Sequence, residues 1–459
     1  MPISTTNGRP PAVPDRKRRR LLRALALAPL GAAAGTAAAA GETGAVSLPL
    51  AGAEGLQVLH WWNSVGERKA VEVISTRLQQ EHIIWRDGLI PNGSGVGAGI
   101  VLRSRMLARD APEVAQLNGI VIRDWARLHL LLNLDAVADA DRWQQQLQPT
   151  VAELIQQGGQ VVAAPLGIHR INTLFYNRAL FSRYHLSAPL SWDDFERAAE
   201  RLQRAGVVPL AQSSEPWQVA TLFETLVLAE GGAAGGALGG ALAGAAFHRD
   251  LFQHRKAQAF ADPRLGAALQ RLRRLKRWMR QPVPERSWDQ TTRELAEGTG
   301  AMMVMGDWAK GELNAWGLAT DIGFGWTPVP GTARVHLYNV DTLTMLATRE
   351  SHRAAQLTLA GIVMSPAVQS EYNLIKGSIP VLRYPALGRM DSCSLASYKL
   401  FSSSRAAQVP SLVHRMAADE TVRDAMVAEL HHFFMDETVT VADAQRRLSA
   451  IGRTLTKTR

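Results

Sequence analysis

The chain contains almost no cysteine and, beyond its first residues, no long apolar run. Cys393 is the single cysteine among 459 residues, which excludes an intramolecular disulfide and a cysteine-ligated metal cluster. No later segment reaches the roughly 20 apolar residues that a membrane span needs. The sequence also lacks the HExxH zinc motif and a nucleophile elbow with a Ser-His-Asp pattern. Nothing in the chain therefore requires a metal, a cofactor or catalysis, and we expect a protein that is not an enzyme.

Basic charge is in excess, but the excess is concentrated at the N-terminus. The net charge is +10, and residues 1–53 hold seven basic and two acidic residues, which leaves +5 on the rest. So small a surplus does not favour nucleic acid as a partner. The hydrophobic fraction of 46% is typical of globular proteins. Because 459 residues exceed what one core usually supports, we expect two lobes.

The N-terminus has the pattern of an export signal. Arg18–Arg23 matches the twin-arginine motif, and a region rich in alanine, glycine and leucine follows it. Small residues at Ala38–Ala40 and Ala51–Ala53 are typical of cleavage sites. We therefore predict a removable signal peptide over residues 1–53 and export to the periplasm by the twin-arginine or Sec route. A membrane anchor is the alternative, although residues 24–40 are marginal in length and hydrophobicity for one.

The most informative segment couples a strand to an aromatic loop and an acid. Leu56–His60 alternates as a strand does, and Trp61, Trp62 and Glu67 precede an amphipathic helix. An open α/β sheet presents its ligand site at such strand ends. Indole faces beside a carboxylate suit a sugar, which has apolar C–H faces and a rim of hydroxyls. The alternative is that both tryptophans are ordinary core residues.

A second segment of the same kind occurs far along the chain. An apolar strand from Gly300 ends at Gly306, and Asp307 follows where a helix begins. Its carboxylate can face a pocket or simply cap the helix. Trp217 precedes another helix, and Trp288 precedes the Asp307 strand. Two carboxylates from distant segments, Glu67 and Asp307, leave an exported glycosidase open as an alternative function.

Helical and strand patterns alternate from Leu56 to about Ala367, which indicates an α/β fold. Extended segments at 160–166, 168–177 and 321–330 lie far apart in the sequence, as a two-lobed protein with a discontinuous hinge requires. The remaining C-terminal residues show a mainly helical pattern. We interpret the low-complexity Gly/Ala segment 231–246 as a loop or a frayed helix connection.

Seven motifs, in this order, resemble the periplasmic glucose-binding proteins, which belong to the extracellular solute-binding family 1 of ABC sugar importers. They are LHWWNSVGE (Leu59–Glu67), APEVAQLNG (Ala111–Gly119), APLGIHRIN (Ala164–Asn172), SSEPWQVATLFE (Ser213–Glu224), MGDWAKGE (Met305–Glu312), YNVDTLTM (Tyr338–Met345) and KGSIPV (Lys376–Val381). Each motif is weak by itself, whereas their shared order is specific.

The resemblance implies an α/β, two-lobed periplasmic binding protein fold with a multi-strand hinge and a helical C-terminal region. It implies an N-terminal lobe of residues 54–168 and 325–363, and a C-terminal lobe of 171–322 and 366–459. The implied ligand is a monosaccharide, glucose or a related aldohexose, held between the lobes and delivered by a monomer to ABC permease membrane subunits. Oligosaccharide-binding, polyol-binding and chemoreceptor-linked relatives remain alternatives.

The resemblance also implies which residues contact the sugar. In the first lobe Trp62 would stack on it and Glu67 would accept from its hydroxyls, while Asp307 would hold hydroxyls from the second lobe. The full implied set is Trp61, Trp62, Glu67, Gln116, Asn118, His169, Trp217, Trp288, Asp307, Asp341 and Lys376. The sequence departs from the family near Asn118, where a lysine is frequent, and at Thr173, where a tryptophan is expected.

Overall fold

The computed structural model describes residues 55–90, 95–233, 236–347 and 350–454. The predicted signal peptide over residues 1–53 lies outside the described residues. The strands are β1 Gly55–His60, β2 Ile84–Leu89, β3 Val114–Gln116, β4 Gln156–Gln157, β5 Gln160–Val161, β6 Ala164–Arg170, β7 Thr173–Asn177, β8 Val208–Leu210, β9 Gly300–Met305, β10 Phe324–Pro328, β11 His336–Met345 and β12 Gln408–Pro410.

Helices connect these strands and dominate the C-terminal part. They are α1 Val65–Gln80, α2 Gly95–Leu107, α3 Val121–Arg127, α4 Asp135–Ala140, α5 Trp143–Gln146, α6 Pro149–Ile155, α7 Arg178–Arg183, α8 Trp192–Arg204, α9 Pro216–Ala233, α10 Gly236–His248, α11 Ala257–Ala261, α12 Pro263–Lys276, α13 Trp288–Glu297, α14 Trp308–Ala315, α15 Arg353–Met364, α16 Pro366–Lys376, α17 Ser392–Ser403, α18 Glu420–Met435 and α19 Val441–Thr454. Among the described helices, none has the length and apolar character that crossing a membrane requires.

The first sheet is built on parallel strands and one long crossing strand. Its order is β12-β11-β3-β1-β2, and β6 pairs with β11. β1 runs parallel to β2 and β3, whereas β11 runs antiparallel to β3 and β6. All ten residues of β11 are buried, as expected of a strand covered on both faces.

The second sheet has the order β10-β7-β9-β8. β7 runs antiparallel to β9 and β10, and β8 runs parallel to β9. The apolar strand predicted from Gly300 is β9, and every residue of it is buried. The predicted α/β class is confirmed.

Each sheet has its own hydrophobic core, and the chain passes between the two lobes more than once. Leu56, Ile74 and Val340 belong to the first core, while Phe223 and Met302 belong to the second. The chain crosses between β6 and β7, between β10 and β11, and again after β12. A smaller cluster, which includes residues of both sheets, fills the space near these crossings. This arrangement confirms the two-lobed fold with a discontinuous hinge and a helical C-terminal region.

The predicted lobe boundaries stay a prediction. In the structure β10 pairs within the second sheet, and Tyr372 of α16 packs in the first core. Segment 231–246 is predicted to be a loop or a frayed helix connection, and the loop is wrong for its described residues, which belong to α9 and α10. Its small residues allow close helix packing, since a Cβ on Gly244 would lie 2.2 Å from the Leu228 carbonyl oxygen.

Candidate ligand-binding cleft

A cavity of about 160 Å³ lies between the two lobes. Segments after β1 and β3, strands β6 and β11 and the end of α16 form its first-lobe wall. The N-terminal ends of α9, α13 and α14 with the residues just before them, the segment after β12 and Arg423 of α18 form the opposite wall. The lining residues are Trp61, Trp62, Asn63, Ser64, Glu67, Asn118, His169, Glu215, Trp217, Ser287, Trp288, Asp289, Trp308, Asn339, Asp341, Lys376, Val413, His414, Arg415 and Arg423.

The tandem tryptophans contribute unequally to this wall. Trp62 is 1% exposed, stacks on His60 with ring centroids 5.2 Å apart, and meets Tyr372 edge-on at 6.4 Å. Trp61 is half-buried, and its backbone N–H donates to Gln116 Oε1 at 3.4 Å. Trp62 is therefore held rigidly by its neighbours, whereas Trp61 offers the more accessible indole.

Glu67 joins the start of one helix to the end of another. Its Oε2 accepts hydrogen bonds from the backbone N–H groups of Asn63 at 3.0 Å and Ser64 at 3.2 Å, which completes a capping box at α1. Its Oε1 accepts from Lys376 Nζ at 3.0 Å. Among the described side chains Glu67 is the one partner of this buried ammonium, so two further N–H donors remain for a ligand.

A buried histidine bridges two carboxylates at the hinge. His169 Nδ1 lies 2.5 Å from Asp307 Oδ1, and its Nε2 lies 3.2 Å from Asp341 Oδ2. Burial alone would lower the pKa of His169, but the two carboxylates outweigh it and raise the pKa to about 9. His169 is therefore an imidazolium at neutral pH, and both its ring nitrogens donate to protein carboxylates.

Asp341 is the centre of a polar network on the floor of the cavity. Its Oδ1 accepts from Asn118 Nδ2 at 2.7 Å and from Asn339 Nδ2 at 3.0 Å. Burial would raise the pKa of Asp341, but the positive charge of His169 holds it well below its ordinary value. The carboxylate is ionised, and the amides of Asn118 and Asn339 are oriented by it.

Aromatic rings form much of the second-lobe wall. Trp308 lies with its ring centroid 6.5 Å from that of Trp217 and 5.3 Å from that of His414. Trp217 Nε1 donates to Glu215 Oε2 at 2.8 Å. Burial raises the pKa of Glu215. Trp288, at the start of α13, is half-buried and completes this side.

The structure brings most of the predicted site residues to one cavity. Nine of them line it: Trp61, Trp62, Glu67, Asn118, His169, Trp217, Trp288, Asp341 and Lys376. Gln116 and Asp307 do not. Gln116 is buried behind Trp61, and the Asp307 carboxylate binds His169 and the Arg170 backbone N–H at 2.8 Å. The carboxylate of Asp307 makes no capping bond to α14 either, so its role is to hold His169.

Sequence reasoning missed several lining residues. Trp308 directly follows the predicted Asp307, and Glu215 lies in the motif SSEPWQVATLFE, two residues before the predicted Trp217. Their position beside predicted site residues could therefore have identified them. His414 and Arg415 come from the segment after β12 and Arg423 comes from α18, where the helical C-terminal pattern contains no motif that marks them. Among the described residues, no group of three His, Cys, Asp or Glu side chains is arranged to hold a metal ion.

Two lobes with a lined cavity between them are the architecture of a binding protein, and the interlobe cleft is its candidate ligand site. Residues 88–356 match the family model of bacterial extracellular solute-binding proteins, and the chain belongs to this family. The chain is 31% identical over 401 residues to a "Probable sugar-binding periplasmic protein" of Brucella suis biovar 1 (strain 1330). That match covers 86% of this chain and 91% of the relative.

Solved structures share the fold at lower sequence identity. The bacterial solute receptor AcbH, described with an exclusive preference for β-D-galactopyranose, has a TM-score of 0.73 at 16% identity and covers 88% of this chain and 100% of its own. A chitin oligosaccharide binding protein has a TM-score of 0.69 at 18% identity, with 86% of this chain and 98% of its own covered. The fold therefore accommodates ligands of different lengths.

Proposed function

We propose that the protein is the periplasmic sugar-binding subunit of an ABC importer and holds a monosaccharide, glucose or a related aldohexose, between its lobes. It delivers this sugar as a monomer to the membrane permease subunits. The name and 31% identity of the Brucella relative support the ligand class. The observation that carries the proposal is the cavity lining, in which indole rings alternate with buried carboxylate, amide and ammonium groups.

The lining polar groups suit a ligand with several hydroxyls. Lys376 can donate, and the oriented amides of Asn118 and Asn339 border the same cavity. A buried polar group left without a partner costs about 1–3 kcal/mol. A sugar epimer that misplaces one hydroxyl therefore binds less well, by more than an apolar cleft could achieve.

The size of the cavity is sufficient for a sugar ring. Its volume of about 160 Å³ is more than ten times the roughly 10–15 Å³ that a single water molecule requires. The aromatic walls supply the apolar contact that C–H faces of a ring require. Asp307 acts in this site through His169, because its carboxylate does not reach the cavity wall.

Binding without bond cleavage is consistent with the charge pairing in the cleft. The carboxylates of Glu67 and Asp341 are each bound to a cation, Lys376 and His169 respectively. A glycosidase needs one carboxylic acid that keeps its proton and a second carboxylate at a defined separation. Glu215 also lines the cavity, and burial raises its pKa, so an exported glycosidase remains an alternative function beside an oligosaccharide- or polyol-binding protein.

Isothermal titration of the chain from residue 54 onward, against monosaccharides, polyols and oligosaccharides, tests the proposal. We expect saturable heat with D-glucose or one of its epimers and no released product by chromatography. If oligosaccharides give binding heat and no monosaccharide does, the ligand is an oligosaccharide instead. Release of reducing sugar from an oligosaccharide would establish the glycosidase instead.

A further inference from the structure

The segment Ser411–Arg415, which follows β12, is hydrogen-bonded to one buried acid of the second lobe. Glu224 of α9 is 1% exposed. Its Oε1 accepts from His248 Nε2 at 2.8 Å and from the Leu412 backbone N–H, and its Oε2 accepts from Ser411 Oγ at 2.8 Å. A buried carboxylate surrounded by donors is a strong anchor, because each bond to an ionised acceptor is stronger than a neutral one.

The anchor fixes the direction of the next hydrogen bonds. A carboxylate can only accept, so the single hydroxyl proton of Ser411 is donated to Glu224. Ser411 Oγ must then accept from its other neighbours, the His414 backbone N–H at 3.2 Å and His414 Nδ1 at 3.0 Å. His414 Nδ1 therefore carries a proton.

The other ring nitrogen of His414, Nε2, is the one available to a ligand in the cavity. His414 is half-buried and lines the cleft beside Trp217 and Trp308, and within the described part of the chain its Nε2 has no hydrogen-bond partner. Burial and the nearby Arg423 guanidinium lower the pKa of His414 to about 3, so the ring is neutral at physiological pH. A neutral imidazole with its proton on Nδ1 has an acceptor lone pair on Nε2.

We infer that Glu224 and Ser411 are positioning residues that set the tautomer of His414, so that its Nε2 accepts a hydrogen bond from a ligand hydroxyl in the cleft. The inference rests on the proposed function for the identity of the donor, a sugar hydroxyl. It adds a requirement that shape alone does not impose, since the group facing His414 must carry a proton. A fluorine or an ether oxygen at that position has no proton to donate, so it cannot form a hydrogen bond with the lone pair of Nε2.

The tautomer is measurable without any ligand. In protein labelled with ¹⁵N-histidine, with His414 assigned by its loss in His414→Gln, we expect the neutral ring to be protonated at Nδ1. Ser411→Ala and Glu224→Gln are expected to move the proton population toward Nε2. Ser411→Thr, which keeps the hydroxyl, is expected to retain the Nδ1–H form. Exposed Ser403 provides Ser403→Ala as the matched control.

An Nε2–H tautomer in the wild-type protein would overturn the inference. So would an unchanged tautomer in both Ser411→Ala and Glu224→Gln, each verified as folded by circular dichroism. Glu224→Gln is nearly isosteric, which keeps the test available if Ser411→Ala fails to fold. These results do not depend on which ligand binds.

Titration with D-glucose and its monodeoxy and deoxyfluoro analogues tests the acceptor role. We expect one ring position at which the fluoro analogue binds about ten-fold more weakly than D-glucose, as weakly as the deoxy analogue. That loss should shrink in Ser411→Ala. Equal affinity for every fluoro analogue would contradict the acceptor role. If D-glucose does not bind at all, the proposed ligand fails, while the tautomer measurement still decides the positioning role.

Discussion

At the scale of single residues, the cleft is defined by how charges are paired. Lys376 and Glu67 are buried together at 3.0 Å, and the pair joins the ends of α16 and α1. Breaking a buried pair costs more than its net contribution, because the remaining charge loses its partner. Lys376 also lines the cavity, so its structural pairing with Glu67 and its proposed binding role fall on one residue.

Replacing Lys376 therefore separates the two roles. We expect Lys376→Met to weaken sugar binding at least ten-fold, because the cleft loses its ammonium donor, and to lower the free energy of unfolding by roughly 3–5 kcal/mol. Calorimetric titration and urea unfolding measure the two effects. The control is Lys399→Met, an exposed lysine on α17. Unchanged affinity in folded Lys376→Met would remove Lys376 from the binding site.

His169 gives the protein a predictable dependence on alkaline pH. Its folded-state pKa is about 9, above the ordinary 6.5, because Asp307 and Asp341 outweigh burial. The proton stabilises the folded state fully below pH 6.5, and this contribution, about 3 kcal/mol, is lost as the pH rises through 9. We expect the unfolding free energy of the wild type to fall over this interval.

The measurement is a urea-unfolding series between pH 6 and 10 together with an NMR titration of His169. His169→Gln should lack the alkaline decline, and His254→Gln, at an exposed histidine, should retain it. A His169 ring that titrates near its ordinary pKa would show that the carboxylates do not control it.

At the scale of elements, α14 fits tightly against the first lobe. It follows β9 of the second sheet, yet its Glu312 accepts from the backbone N–H groups of Val65 at 3.2 Å and Gly66 at 2.6 Å, at the N-terminus of α1. A carboxylate at a helix N-terminus is favourable because it satisfies donors that lack intrahelical partners. One helix thus links the two strand-end loops that carry the predicted tryptophan and aspartate motifs.

Glycine is required where α14 meets the end of α16. Gly377 has φ +91°, and a Cβ there would lie 2.3 Å from the Asp307 carbonyl oxygen. Gly206 also has a positive φ of +76°, but a Cβ would meet nothing within 4 Å. We expect Gly206→Ala to cost about 1–2 kcal/mol for backbone strain alone, and Gly377→Ala roughly 2–5 kcal/mol, because it adds overpacking.

Equilibrium urea unfolding of both alanine variants measures this difference. If Gly377→Ala and Gly206→Ala lower the free energy of unfolding equally, the backbone around Gly377 accommodates the added methyl group without a packing penalty. An additional loss of ligand affinity in Gly377→Ala is expected as well, since Lys376 is its immediate neighbour.

At the scale of the whole molecule, the proposed periplasmic function requires that the chain crosses the inner membrane. It would cross unfolded by the Sec route or already folded by the twin-arginine route. The twin-arginine pattern at Arg18–Arg23 lies outside the described residues and stays a prediction. If this pattern directs export, replacing Arg18 and Arg19 with lysine should leave unprocessed precursor in the cytoplasm. Cell fractionation and immunoblotting of the full chain measure the result. Normal periplasmic yield of the double-lysine variant would instead assign export to the Sec route.

Local chemistry determined the parts of the site that lie close together in the sequence. Strand periodicity followed by Trp61, Trp62 and Glu67 predicted the loop between β1 and α1, and the apolar run before Asp307 predicted β9 and its turn. These patterns are visible because a strand, its turn and the next helix depend on neighbouring residues. The lining by Asn118, His169 and Asp341 was predicted from motif resemblance, which transfers long-range information that local patterns lack.

Tertiary structure alone decided which of these groups pair. Asp307 turns to His169, which is 138 residues away in sequence, and Lys376 reaches Glu67 across 309 residues. His414 enters the cleft only because the chain crosses back after β12. Propensity and periodicity act over a few residues, whereas the direction of a buried carboxylate is set by whichever charge the chain crossings bring within hydrogen-bonding distance.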